Sequence, residues 1–273
     1  MNGSNDRYIP APGSAASIAL AVFTHPEGNS MTYCVGMLLD AGLVMIADSR
    51  TNAGVDNIST FRKVTVFERT GDRVFVLMTA GNLSLAQSVI SLINEALEAP
   101  EGQANLFNVT NMFEAARCVG DAIRAVHGRD AEALEAFKMD FNVSMILGGQ
   151  IRGEAPRMFN VYPAGNFIEA TEETCYFQIG EFKYGKPIID RVINRQVRLQ
   201  RAAKCGLVSM DSTIRSNLTV GMPIDVVTVR TDELRVSSHK VIEADDAYFE
   251  LVRASWSDAL IQAFRDLPDP DWL

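Results

Sequence analysis

Thr32, Asp48 and Lys63 are the residues of this 273-residue chain whose types and order suit nucleophilic catalysis. A threonine hydroxyl is a weak nucleophile at neutral pH and needs a base. A threonine at the start of a chain has one of its own, the α-amino group, whose ordinary pKa is about 8. A nearby lysine ammonium lowers the pKa of that amine or hydroxyl, and an aspartate holds the lysine charged and in place. Acyl transfer also needs a donor for the oxyanion. The backbone N–H of Gly81, in "TAGN" at a strand-to-helix junction, can supply it. Glycine there lets backbone approach substrate closely. Singly, each feature is more often structural: threonines begin many strands, Asp–Lys pairs are usually modest surface contacts, and Gly-Asn often only caps a helix. Their succession, behind a segment that looks removable, gives the set its weight.

Such side chains converge only if strands hold them. "TYCVGMLL" and "LVMIADS" read as strands joined by a "DA" turn ending in Gly42. Thr32 then opens the first strand and Asp48 stands at the exit of the second. "RKVTVFER" and "RVFVLMTA" make another hairpin around Thr70-Gly71-Asp72, with Lys63 near its start. Positions in adjacent antiparallel strands are expected to meet at one sheet end. The apolar neighbours Ile46, Ala47 and Val64 leave Asp48 and Lys63 partly desolvated, and therefore paired.

Beyond Gly81 the apolar residues Leu83, Val89, Ile90, Leu92, Ile93 and Leu97 fall at helical spacing, with Asn82 as N-cap. A second helix runs towards Phe137. Strands follow at "FNVSMILGG", "RMFNVYP", "FIEAT" and "CYFQIG", then helices at "YGKPIIDRVINR" and "RAAKCGLVSMDSTIR". Strands "IDVVTVR" and "LRVSSHKV" precede a last helix, "DDAYFELVRASWSDALIQAF". Strands paired in hairpins argue against a doubly wound parallel sheet. Runs apolar on both faces, such as "LVMIA" and "FVLM", fit sheets covered on both sides. The expected class is α+β, a four-layer αββα sandwich of two antiparallel sheets. Residues 1–31 carry Pro10, Pro12 and Pro26 among many Gly, Ser and Asn, and read as a disordered leader or a mis-assigned start. Residues 32–273 form the domain.

Composition narrows the function. The net charge is −9 and the pI near 4.9, with no basic stripe, so nucleic acid is not an expected partner. Cys34, Cys118, Cys175 and Cys205 show no C-x-x-C spacing, and His25, His127 and His239 show no metal spacing. No apolar run nears the roughly 20 residues of a membrane span. No cofactor, metal or membrane is expected, and the cytoplasm is the expected location.

The segments "MTYCVGMLLDAGLVMIADSRTNAG", "STFRKV" and "LMTAGNLSLAQ" resemble the proteasome β-subunit family of N-terminal-nucleophile (Ntn) hydrolases. "TNAGVDNIST" resembles the bacterial ancestral β-subunit group, Anbu, in particular. The resemblance spans residues 31–266. It implies the αββα fold, Thr32 as nucleophile, Asp48 and Lys63 as its supports, and Gly81 in the oxyanion hole. It also implies Thr51, Thr65, Thr79 and Leu83 around a substrate pocket, a peptide or protein substrate, and a homo-oligomer built as an open or helical ring. No unfoldase partner is readable. Two departures stand out: Asn217 and Val220 in "RSNLTVGMPID" where many members carry Asp and Ser, and Glu181 in "QIGEFKYG" where a serine is expected. Three readings stay open: a threonine endopeptidase, an Ntn amidohydrolase of small amides, and an assembly subunit with little activity. The first needs Met31 removed, so that Thr32 has a free amine.

Overall fold

The computed structural model describes residues 32–52, 58–99 and 102–272. The expectation for residues 1–31 lies outside them. Alternation of side chains along short β-branched and aromatic runs gives two five-stranded antiparallel sheets. In sheet one, β1 (Tyr33–Leu39) and β2 (Gly42–Asp48) form the first hairpin. A small ribbon, β3 (Arg50–Asn52) with β4 (Ile58–Thr60), follows. Sheet two starts with the hairpin of β5 (Val64–Arg69) and β6 (Arg73–Gly81).

Two helices come next, α1 (Leu83–Glu98) and α2 (Met112–Ala136). Strands β7 (Val143–Ile151), β8 (Arg157–Val161) and β9 (Phe167–Glu169) complete sheet two, in the order β5-β6-β7-β8-β9. Strand β10 (Tyr176–Gly180) returns to sheet one. After α3 (Lys186–Val192) and α4 (Leu199–Ser216), strands β11 (Ile224–Arg230) and β12 (Ser238–Ile242) finish it, in the order β10-β1-β2-β11-β12. Helix α5 (Ala247–Arg265) follows.

Three apolar layers hold these elements together. α1 and α2 pack on one face of sheet two, through Val89, Ile93, Val119 and Ile123 against Phe75, Leu77, Leu147 and Phe159. α3, α4 and α5 pack on sheet one, through Ile189, Cys205, Met210 and Phe249 against Val35, Met37, Ile46 and Val226. Between the sheets lie Cys34, Met45, Val76, Met78, Ile146 and Val227. Every residue of β1 and β2 is buried, as expected for strands covered on both faces. The αββα sandwich expected from the sequence is the fold observed.

Three local expectations change. Strand β1 begins at Tyr33, one residue later than read. The last strand begins at Ser238, not Leu234, because the turn after β11 is longer: Asp232 and Leu234 take positive φ, and Gln150 holds the turn by exchanging hydrogen bonds with the Asp232 N–H and carboxylate. Most important, the two hairpins that carry Asp48 and Lys63 are not neighbours in one sheet. They lie in different sheets, and the site forms where the ends of two sheets face each other.

Candidate active site

Strand β2 ends at Asp48, and the carboxylate there is fully buried. Its Oδ1 accepts hydrogen bonds from the Tyr33 N–H (3.0 Å) and from Lys63 Nζ (2.7 Å). Its Oδ2 accepts from the Gly221 N–H (3.3 Å). Burial pushes the carboxyl above the usual carboxylate range, while the Lys63 ammonium and then the two N–H groups pull it back down. All three donors serve the ionised form. Lys63, just before β5, is 4% exposed and crosses from sheet two to reach it. The same ammonium donates to the Arg50 carbonyl at 2.6 Å. The predicted Asp48–Lys63 pair is therefore formed, buried and oriented on both sides.

Thr32 is buried, and β1 starts directly after it. Its carbonyl accepts from the Glu181 N–H at 2.7 Å. Gly180, opposite Tyr33 in the β1–β10 register, has φ +80°, and a Cβ there would stand 1.7 Å from the Thr32 carbonyl oxygen. Only glycine allows that approach. The Tyr33 side chain anchors the other face: its hydroxyl is bonded to Ser209 Oγ (2.6 Å) on α4 and accepts from Gln178 Nε2 (2.5 Å). Thr32 thus sits one peptide away from the N–H that shares Asp48 Oδ1 with Lys63.

Gly81 ends β6 at the same end of sheet two. It has φ +104°, and Asn142 leaves no room for a side chain. Asn82 caps α1 as expected, its Oδ1 accepting from the Ser84 and Leu85 N–H groups. Thr79, two residues before Gly81, ties this strand end to the pair: its N–H donates to the Lys63 carbonyl (3.0 Å) and its carbonyl accepts from Cys34 Sγ (3.6 Å). The bonded set is Asp48, Lys63, Tyr33, Arg50 and Gly221, flanked by Thr32 and Gly81. Of the expected pocket residues, Thr79 is buried, Thr65 and Leu83 are half-buried, and the Thr51 side chain lies outside the described residues. Cys34 is no rival nucleophile, because burial raises its thiol pKa.

The departures at Asn217 and Val220 have structural positions. Asn217 is the C-cap of α4, and its Oδ1 accepts from the Thr219 N–H (2.9 Å) and hydroxyl (2.6 Å). Val220 is a fully buried residue of the core between sheet one and its helices, so a serine there is replaced by apolar packing. The turn they bracket nonetheless reaches the site through the Gly221 N–H. Arg50 holds the turn down, donating to the Leu218 carbonyl (2.9 Å) with its guanidinium lying over Gly221. Sequence reasoning missed Tyr33, Arg50 and Gly221, which act through main-chain groups. Only the adjacency of Arg50 to "ADS" and the glycine in "TVGMP" hinted at them.

Among the described residues, no group of three or more His, Cys, Asp or Glu is placed to hold a metal, and no helix is long and apolar enough to cross a membrane. The four cysteines are free.

No protein-family model matches the chain. It is 26% identical over 204 residues to a proteasome subunit beta of Methanopyrus kandleri, covering 74% of this chain and 88% of that one. Solved structures are more similar. An Anbu (Gly-1) mutant from Hyphomicrobium sp. strain MC1 is 52% identical, with TM-score 0.83, over 88% of this chain and 99% of that one. The helical assembly of the Anbu complex from Pseudomonas aeruginosa is 46% identical, with TM-score 0.84, over 88% of this chain and 99% of that one. With identity of that order over nearly the whole of each chain, the protein belongs to the Anbu, or ancestral β-subunit, family of proteasome β-like Ntn-hydrolase folds.

Proposed function

We propose that this chain is a threonine peptidase that works once Thr32 is its first residue, within a homo-oligomer in the cytoplasm. The observation that carries the reading is the buried Lys63 ammonium, held between the Asp48 carboxylate and the Arg50 carbonyl at the start of β1. A structural lysine gains nothing from being desolvated there, since a buried ion pair stabilises little against an apolar replacement. A charge that lowers the pKa of an amine and a hydroxyl has a use in that position.

In this mechanism the free α-amine of Thr32 takes the proton of its own hydroxyl. The oxygen attacks a peptide carbonyl, and the Gly81 N–H stabilises the oxyanion. The protonated amine then returns its proton to the leaving amine. Water, activated by the same amine, hydrolyses the acyl ester. Asp48 keeps Lys63 charged, and the Tyr33 and Gly221 N–H groups keep Asp48 ionised.

Assembly is supported by the helical arrangement of the Pseudomonas aeruginosa relative and by the apolar side chains that α5 leaves exposed. The decisive experiment pairs intact mass with turnover. The purified protein should lack residues 1–31, and peptide hydrolysis should vanish in Thr32→Ala. A chain that retains the leader in every copy, or hydrolysis that survives Thr32→Ala, refutes the peptidase reading.

A further inference from the structure

Glu181 stands where the resemblance leads one to expect a serine, and its surroundings give it a task. The β1–β10 register pairs Cys34 with Ile179 and Tyr33 with Gly180, so one residue further Thr32 lies opposite Glu181. The Glu181 N–H donates to the Thr32 carbonyl at 2.7 Å, just past Gly180, where the positive φ ends the regular strand. Residues directly opposite in an antiparallel pair project to the same face, with Cβ atoms about 4.5–5.5 Å apart. Cys34 and Ile179, the next pair inward on that face, lie in the cluster between the sheets. Thr32, two residues before Cys34, therefore faces the inter-sheet space from which Lys63 enters, and Glu181 is bonded beside it through its N–H.

The Glu181 side chain is 15% exposed, and its Oε2 is buried with no hydrogen-bond donor among the described residues. The Lys183 ammonium, on an exposed side chain, stands 3.3 Å from Oε2 without the alignment of a hydrogen bond. Glu181 in turn holds the Lys183 ammonium above its ordinary pKa, so this mostly buried carboxylate already pairs with one exposed cation, and a second, less exposed cation would satisfy it further.

We infer that the Glu181 carboxylate is the ion-pair partner of the α-ammonium that Thr32 acquires when the Met31–Thr32 bond is cut. The inference rests on the reading of Thr32 as the first residue of the working chain. A serine offers an amine only a neutral hydroxyl; glutamate offers a full negative charge. The remaining charged groups around Thr32 are Lys63 and its partner Asp48, Arg50 over Gly221, Lys183 beside Glu181, and Asp225 on β11. Asp225 is occupied by Ser49 and by His239 from β12. Lys63 favours the neutral amine and Glu181 the ammonium. Glu181 thereby sets the pH at which the amine becomes a base, and confines full activity to the alkaline side of what a serine there allows.

The test is competitive acetylation of the mature protein with acetic anhydride between pH 6 and 10, with the Thr32 peptide read by mass spectrometry. The amine of the wild type should titrate higher than that of Glu181→Gln by about one pH unit. Glu181→Ser should match Glu181→Gln, and Glu181→Asp should fall between. Unchanged melting of the isosteric Gln variant separates the effect from misfolding. The rising limb of the pH profile of peptide hydrolysis should move down by the same interval in Glu181→Gln. Coincident amine titrations in wild type and Glu181→Gln overturn the ion pair, whatever the activity. A shifted amine titration together with hydrolysis that survives Thr32→Ala upholds the pair and removes the nucleophile.

Discussion

The Asp48 end of the sandwich and helix α5 solve opposite problems. Around Asp48 the chain satisfies its own needs: a buried charge meets an opposite charge, two N–H groups complete it, and Arg50 and Gly221 lock the surrounding backbone. α5 leaves its needs unmet. It buries Phe249 and Val252 and exposes Tyr248, Leu251, Leu260, Ile261 and Phe264. α2, on the opposite outer layer, shows that this is not the habit of the fold. There Met112, Ala115, Ala116, Val119, Ile123 and Val126 all point inward, and the outer face carries charged pairs such as Arg124–Asp121, with Phe113 the one large apolar side chain left exposed. One region is complete within a single chain; the other has surface that only a second molecule can cover.

The contrast breaks most severely at Lys63. Lys63→Ala leaves Asp48 buried and unpaired, at a cost of about 3–5 kcal/mol. Thermal unfolding of the variant should fall by roughly 10 °C. Asp48→Asn combined with Lys63→Met should lose less than Lys63→Ala alone, because no charge is then stranded. A double variant that is the less stable of the two contradicts the account of the pair.

At α5 the two faces should part company. Phe249→Ala empties a site that is 1% exposed and should cost about 3–5 kcal/mol in urea unfolding. Asn82→Ala, which strips the cap from α1, should cost about 1 kcal/mol without touching the assembly. Leu251→Ser with Phe264→Ser should change chain stability by less than about 0.5 kcal/mol. Yet it should collapse a large species to monomer in sedimentation. An assembly that is intact in this variant moves the interface elsewhere.

The smallest effect belongs to acid. The Phe249 N–H that Asp246 caps holds its carboxyl below the usual carboxylate range. The unfolded chain therefore takes up this proton at a higher pH than the folded one. The cap contributes fully above about pH 4 and its contribution is lost as pH falls through the lowered folded value. The difference in urea midpoint between wild type and Asp246→Ala should accordingly shrink on acidification from pH 6.

Local chemistry explains what was legible in the sequence. Turn residues at Asp40-Ala41-Gly42 and Thr70-Gly71-Asp72, the period change after Gly81 and the Asn82 cap each act within a few residues, and each appears where it was read. The Asp48–Lys63 pair was legible because buried charges seek partners. Its setting was not: nothing local says that successive hairpins belong to different sheets. Tyr33, Arg50 and Gly221 escaped notice for a related reason. At Lys63 and Asp48 they serve through an N–H or a carbonyl, which every residue type possesses, and the Arg50 guanidinium acts on a turn distant in sequence. The β3–β4 ribbon was missed because "TNAGVDNIST" is turn-rich and lacks an alternating pattern. The exposed side of α5, by contrast, is written in its composition: Tyr248, Phe249, Leu251, Val252, Trp256, Leu260, Ile261 and Phe264 are too many large apolar residues for one contact face.

The start of β1 has a further consequence, in time rather than in energy. The first residues of a domain usually fray, exchanging their amide hydrogens within moments of dilution into heavy water. Here the Tyr33 amide is bonded to a buried carboxylate, and the Glu181 amide to the Thr32 carbonyl. Both should exchange only when the whole sandwich opens, on the slow clock of its central strands. The point at which the working chain is proposed to begin would be among its slowest to exchange, in a place where most proteins are loose.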